Sequence, residues 1–242
     1  MDFSRFECLT FDCYGTLIDW EAGIISAIQP VLRDHGIRRE EEYLLALYSE
    51  LESQAEAGPY KPYRAILNEV MAGFAKRLGF ALHGPEQDAL AGSVGSWPPF
   101  PDTVAALACL KRQFRLGIIS NVDDDLFART SRLLQVDFDW VVTAEQARSY
   151  KPSTNNFEMA ARRIAIPRAR WCHVAQSLYH DIGPARHLGL ATVWINRRAG
   201  RSGPGATPAA GHARADAEFP DLRLFAAACS PRTYGDMEEI NS

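Results

Sequence analysis

Cys8-Leu9-Thr10-Phe11-Asp12-Cys13-Tyr14-Gly15-Thr16-Leu17 decides the fold. Four largely apolar residues run into a carboxylate and then a glycine-containing turn, the pattern of a short buried strand that stops at Asp12. From there to about residue 95 no strand pattern appears. Helical stretches run from about Glu21 to His35, closing on Gly36, and from about Glu40 to Ala57, stopping at Gly58-Pro59. Two more cover about Tyr63 to Leu78, stopping at Gly79, and about Pro85 to Gly92. Trp97-Pro98-Pro99-Phe100-Pro101 ends the helical block, because proline lacks the amide hydrogen and fixes φ.

Beyond the prolines the texture changes. Asp102 is expected to cap a helix of about Thr103 to Gln113. Strand patterns follow at Leu116–Ile119, Trp140–Val142, Trp171–Ala175 and Ala191–Ile195. They alternate with helices at about Asp124–Leu134, Asn155–Ile164 and Asp181–Leu188. Arg197 to Pro220 reads as a long loop, and a last helix covers about Leu222 to Ala228. Alternating strands and helices require a mostly parallel sheet covered on both faces. The expected class is α/β, a doubly wound, mostly parallel sheet with a Rossmann-like core. The core takes residues 1–19 and 100–242, and residues 20–99 form a helical cap inserted after the first strand.

Composition excludes several function classes. With 47% hydrophobic and 23% charged residues in 242, the chain can bury a core without metal or disulfide staples. A net charge of −4 argues against nucleic-acid binding through bulk positive charge. No apolar run approaches the ~20 residues of a membrane span, and Met1-Asp2-Phe3-Ser4-Arg5 carries no secretory leader pattern. Five cysteines, an odd number without Cys-x-x-Cys spacing, point to a reduced cytoplasmic protein. Cys8, Cys109 and Cys172 read as small buried hydrophobes.

In doubly wound sheets ligands bind beyond the carboxyl ends of the strands. Asp12, then Ser120 and Asn121, then Lys151, then Gln176 to Asp181 all fall there. Each alone could be a turn cap or a solvated side chain; together they indicate one shared site. Asp123-Asp124-Asp125 reads as a solvated helix start. His173 reads as a strand residue with a satisfied partner, and the five tryptophans as packing. His180 alone adjoins a motif residue, whereas His35, His83, His187 and His212 are scattered.

Phe11-Asp12-Cys13-Tyr14-Gly15-Thr16-Leu17, Ile119-Ser120-Asn121, Tyr150-Lys151-Pro152 and the Asp181 segment resemble, in order, the four motifs of the haloacid dehalogenase superfamily. The first motif and Trp194-Ile195-Asn196-Arg197 are most similar to the (S)-2-haloacid dehalogenase branch. Magnesium-dependent phosphohydrolases of the superfamily carry a second Asp two residues after the nucleophile and a metal-binding Asp in the fourth motif. Here those positions are Tyr14 and Gln176, which suits a site without metal or cofactor. Halide is a weak base and leaves without a proton, so a site lacking the adjacent acid suits its displacement. The resemblance implies that Asp12 attacks the substrate and forms an ester. Asp181, held by Lys151, then activates water. It also places Cys13, Tyr14, Ser120 and Asn121 among the substrate-binding residues.

The sequence departs from that branch at Gln176 and Leu178 and offers no match to its cap arginine. Arg64 or Lys61, in Gly58-Pro59-Tyr60-Lys61-Pro62-Tyr63-Arg64, is expected to take over carboxylate recognition. The expected partner is a small 2-haloacid, with no nucleic acid and no membrane; a homodimer is left open. The alternatives are a magnesium-dependent phosphatase of small metabolites, a hydrolase of another C2-substituted acid, and a silent fold that binds an acid or a protein.

Overall fold

The computed structural model describes residues 1–200, 205–207 and 213–230. The leading strand is β1 (Cys8–Phe11), every residue of it buried. The expected helical block follows as α1 (Trp20–Asp34), α2 (Glu41–Glu56), α3 (Tyr63–Leu78) and the short α4 (Ala89–Ser93). Then come α5 (Thr103–Lys111), β2 (Arg115–Ser120), α6 (Asp124–Leu134), β3 (Trp140–Thr143), α7 (Ala144–Ala147) and α8 (Asn155–Ile164). The chain continues through β4 (Trp171–Ala175), α9 (Gly183–His187), β5 (Ala191–Ile195), β6 (Ala217–Phe219) and α10 (Leu222–Cys229). No helix among the described residues is long and apolar enough to cross a membrane.

The six strands form one sheet in the order β3-β2-β1-β4-β5-β6, parallel throughout. Burial on both faces explains why the strands read as nearly continuous apolar runs. Side chains alternate between faces. Leu9, Phe11, Ile118, Val174 and Val193 join the large core with residues of α5, α6, α10 and the helical block. Cys8, Ile119, Val142 and Trp171 face α8 and α9 through Phe157, Ala160, Ile164 and Ala185. The chain reverses its winding between β1 and β4, and ligands of such sheets bind at that switch point.

Four local expectations change. Asp102 makes no side-chain cap on α5. Its carboxylate instead takes the Arg197 guanidinium at 2.8 and 2.9 Å and the amides of Leu222 and Arg223, the start of α10. The stretch from Arg197 to Pro220 is not all loop, since β6 extends the sheet edge. A three-residue strand is too short to leave a periodic signal. The helix expected from Asp181 begins as a π-helical turn at Leu178–Ile182 and becomes α-helical only at Gly183. Cys8 and Cys172 are buried as expected, but Cys109 is half-buried while Cys13 and Cys229 are buried; all five are free.

One glycine governs how the helical block meets the segment leading back to the sheet. A Cβ on Gly23 of α1 would lie 2.2 Å from Trp97 Cγ. The Trp97 ring fills that space, stands edge-on to Tyr14 at 5.8 Å, and donates Nε1–H to Ser93. Gly23→Ala is expected to destabilise the protein by about 1–3 kcal/mol through overpacking. Chemical denaturation checks this, and an unchanged midpoint would refute the packing role.

Candidate active site

Lys151 organises the strand ends. It sits in the loop between α7 and α8, where Asn121, just past β2, clasps its backbone. Asn121 Nδ2 donates to Lys151 O at 3.1 Å, and Asn121 Oδ1 accepts Lys151 N–H at 2.7 Å. The side chain, 1% exposed, then reaches across the sheet. Its ammonium donates to Asp12 Oδ1 at 2.9 Å, Asp181 Oδ1 at 2.6 Å and Ile119 O at 2.9 Å. Three N–H groups meet three acceptors, so the ammonium is saturated.

The two carboxylates differ in environment. Asp12 is buried, which pushes its pKa above the usual value; Lys151 and a 2.8 Å hydrogen bond from Thr16 offset this only in part. Burial also works against ionised Asp181, but Lys151 and His173 outweigh it and hold that carboxyl below its usual range. Burial likewise opposes the Lys151 charge, and the two carboxylates reverse the balance to raise its pKa.

His173 is the residue that sequence reasoning undervalued. Its Nε2 lies 2.9 Å from Asp181 Oδ1 and its Nδ1 lies 2.9 Å from Thr10 Oγ1. Trp171 Nε1–H donates to the same Thr10 oxygen at 2.7 Å. A carboxylate can only accept, so His173 Nε2 carries a proton and donates to Asp181, while Nδ1 pairs with the Thr10 hydroxyl. A buried hydrogen-bonded chain thus runs from Trp171 through Thr10 and His173 to Asp181. The register pairs Thr10 with His173 directly, and that pairing is not written in either strand alone.

A narrow cleft of about 40 Å³, partly open to solvent, lies over this cluster. Asp12, Tyr14, Ser120, Asn121, Lys151, Gln176, Ser177, His180, Asp181 and Thr207 line it from the strand ends. Trp20, Glu52, Glu56 and Tyr63 line it from the helical block. Gly15, at φ +90°, turns the chain beneath Trp20 and Gln176. Tyr14 places its hydroxyl 2.9 Å from Thr130 Oγ1. Burial pushes His180 down to about 4, so it is neutral near neutral pH.

Several expected site residues lie elsewhere. Cys13 is fully buried in the core, and its carbonyl accepts the amides of Thr16, Leu17 and Ile18 to form the turn. Arg64 does not line the cleft; its guanidinium is held by Asp125 at 2.8 Å. Lys61 pairs with Glu69 at 2.7 Å. From that stretch it is Tyr63 that reaches the cleft. Asp123 is not solvated but 4% exposed, accepting the amides of Tyr63 at 2.7 Å and Arg64 at 2.9 Å. His35 pairs with Glu86 far from the site, and His212 lies outside the described residues.

A divalent cation does not fit the donor set. Mg²⁺ wants an octahedron of hard oxygens, yet Lys151 already occupies the space between Asp12 and Asp181. Among the described residues no group of three or more His, Cys, Asp or Glu side chains is placed to hold a metal.

Residues 6–189 match the family model described as haloacid dehalogenase-like hydrolase. The chain belongs to the haloacid dehalogenase-like hydrolase family. Within it, an (S)-2-haloacid dehalogenase of Pseudomonas putida is 28% identical over 197 residues, 79% of this chain and 86% of that protein. A defluorinating L-2-haloacid dehalogenase superposes with a TM-score of 0.78 at 21% identity, covering 92% of this chain and 94% of that one. The Xanthobacter autotrophicus L-2-haloacid dehalogenase, solved with chloropropionic acid covalently bound, gives 0.76 at 18% identity, over 92% and 97%. These two structural likenesses speak to the fold.

Glu52 adds a measurable feature to this hydrolase. Its Oε1 accepts hydrogen bonds from Tyr48 at 2.8 Å and Tyr63 at 2.7 Å, while burial pushes its pKa from 4.5 up to about 7. A carboxyl raised on folding keeps its proton longer when folded, so the stability it contributes is lost as pH rises from 4.5 through about 7. Glu52→Gln retains an acceptor and removes the titration. Its melting temperature is expected to exceed that of the wild type at pH 8 by at least about 2 °C, with no gain at pH 5. Equal melting temperatures at pH 8 would show that Glu52 is not strained there.

Proposed function

We propose that this hydrolase is a hydrolytic dehalogenase of short 2-haloacids, working through an aspartyl ester. The named relatives, dehalogenases of 2-haloacids, suggest the substrate class. The observation that carries the reading is Tyr14. The residue two positions beyond the nucleophile is a tyrosine whose hydroxyl is engaged with Thr130 and whose pKa burial pushes well up. It is no acid for a leaving alkoxide, and halide needs none.

In the first step an Asp12 carboxylate oxygen attacks the halogen-bearing carbon. A C–O bond forms, and the halide departs with the electron pair of the C–X bond. Residues 20–99 act as a cap over the core of residues 1–19 and 100–242, keeping bulk water from competing. In the second step water adds to the Asp12 carboxyl carbon and gives its proton to Asp181. The bond between the carboxyl carbon and the substrate oxygen then breaks as Asp181 returns that proton to the departing oxygen, giving the alcohol product, and the proton left on the Asp12 carboxyl is lost to solvent. Lys151 favours the ionised form of both carboxylates, and Ser120 is available to bind substrate. Phosphate ester hydrolysis is the weaker reading, because a dianion would enter a cleft that holds Glu52 and Glu56.

Halide release from (S)-2-chloropropionate tests the reaction. In ¹⁸O water a single turnover is expected to yield product with unlabelled oxygen and label in Asp12. Asp12→Asn is expected to lose activity by several orders of magnitude, since an amide is a poor nucleophile. Product labelled in the first turnover, or substantial activity in that variant, would exclude the ester.

His173 touches no reacting atom and is a positioning residue for Asp181. His173→Ala is expected to slow hydrolysis of the ester more than its formation, so that the covalent adduct accumulates and is seen by intact-protein mass. Thr10→Val, which breaks the same donor chain one step earlier, gives a weaker form of that phenotype. Equal slowing of both steps would return His173 to a purely structural role.

A further inference from the structure

In a displacement at carbon the leaving group departs opposite the attacking atom. Asp12 stands at the end of β1, on the sheet side of the cleft, so a halide it displaces moves toward the helical wall. Trp20, Glu52, Glu56 and Tyr63 form that wall. The substrate carboxylate has a donor on the sheet side, because the buried Ser120 hydroxyl lines the cleft without a partner. Halide needs no proton to leave, but a donor placed where its charge develops lowers the barrier to its departure.

Glu52 holds such a donor. It is 6% exposed, and its Oε1 accepts from Tyr48 at 2.8 Å and from Tyr63 at 2.7 Å. With its pKa pushed up to about 7, the acid form is well populated at neutral pH. A carboxylic acid accepts at its carbonyl oxygen and carries the proton on the other. Two donors on Oε1 make that atom the carbonyl oxygen and leave the proton on Oε2. Oε2 has no hydrogen bond to any described residue, and a donor left unpaired in a buried site is costly. A departing halide is an acceptor for it. The Trp20 ring stands edge-on to Tyr48 at 5.8 Å, so the carboxyl sits among aromatic groups, where a hydrogen bond is stronger than in water.

We propose that Glu52, in its acid form, donates Oε2–H to the departing halide and thereby sets the leaving-group preference. This deepens the dehalogenase reading and rests on Asp12 as the nucleophile. As the bond from the Asp12 oxygen to carbon forms, the electron pair of the carbon–halogen bond passes to the halide. The halide leaves as the anion, and Glu52 keeps its proton. Ionised Glu52 has no donor and sets a negative charge against the same anion, so ester formation weakens as Glu52 titrates. The titratable groups on its own side are Tyr48 and Glu56 of α2 and Tyr63 of α3; Asp12, Tyr14, Lys151, His180 and Asp181 line the facing side. All of these remain in Glu52→Gln, so the ratio of variant to wild type at each pH reports Glu52. In that variant the two tyrosines hold the amide oxygen, and an N–H donor that cannot ionise takes the place of Oε2–H.

Single-turnover ester formation, followed by intact-protein mass from pH 6 to pH 9, tests this with (S)-2-chloropropionate and (S)-2-bromopropionate. Circular dichroism confirms the fold at each pH. The ratio of Glu52→Gln to wild type is expected to rise by about fivefold or more across that range. The rise is expected to be larger for chloride, the better hydrogen-bond acceptor, than for bromide. A purely structural role moves both substrates alike. A ratio flat with pH, or equal for the two halides, overturns the proposal. Chloride binding, read from the line width of the ³⁵Cl resonance, needs no turnover. It is expected to weaken in the wild type between pH 6 and pH 9 and to hold level in Glu52→Gln. If chloride binds in that way while no haloacid releases halide, the dehalogenase reading fails and the donor role of Glu52 stands. Wild-type chloride binding that is absent, or that shows no fall relative to Glu52→Gln, counts against the donor itself.

Discussion

An ammonium group with 1% of its surface exposed cannot persist in a protein interior without partners, because the desolvation of an ion costs several kcal/mol even after relaxation. Lys151 meets that condition with two carboxylates and a carbonyl, and each partner belongs to a different part of the sheet. Asp12 follows β1, Ile119 lies within β2, and Asp181 sits in the turn after β4. The same contact that makes the lysine tolerable therefore fixes the spacing of the strand ends around the switch point. It also favours the charged form of two acids whose burial opposes it. Removing any one partner leaves the others as uncompensated buried charge, which makes the cluster a single unit.

The helical block is tied to this unit by charge as well as by packing. Asp123, just beyond β2, accepts the first amides of α3, placing a carboxylate at the positive end of that helix. Tyr150, next to Lys151, donates to Lys61 O at 2.8 Å in the segment leading into α3. Tyr63, the first residue of α3, then extends its hydroxyl to Glu52 on α2. The wall of the cleft is thus connected to the nucleophile's neighbours through backbone amides and hydroxyl groups. The position of Glu52 depends on Asp123 as much as on its own helix.

The fold was legible because strand length, helix period and proline punctuation are local. Asp12, Ser120, Asn121, Lys151 and Asp181 were legible because the strand-end rule needs only the location of each strand's end. What the chain did not disclose depends on register and on the facing of distant elements. His173 pairs with Thr10 only once β1 lies beside β4, so a histidine in an apolar strand looked like any other core residue. Arg64 suits the cleft by its bidentate fit to a carboxylate, but Asp125 holds its guanidinium and Asp123 its backbone amide. Asp102 was assigned to its own helix, and the Arg197 guanidinium drew it away. One signal was present and unused. Leu44, Tyr48, Glu52 and Glu56 recur every four residues on α2, and an acid within an apolar stripe is a conflict that stability alone does not explain.

Tyr14 ties three parts of the molecule together, with its hydroxyl hydrogen-bonded to Thr130 of α6 and its ring set edge-on against Trp97. It joins the turn after β1 to α6 and to the segment that leads back from the helical block. On the proposed reading, a site organised this way offers Asp12 as nucleophile, Asp181 to activate water and Lys151 to serve both, with no acid on the loop that carries Asp12. Across the cleft, burial pushes Glu52 up to about 7. The two sides of the cleft consequently differ: the sheet side holds the Lys151 cluster, its ammonium saturated, beside the unpartnered Ser120 hydroxyl, and the helical side holds the raised carboxyls of Glu52 and Glu56.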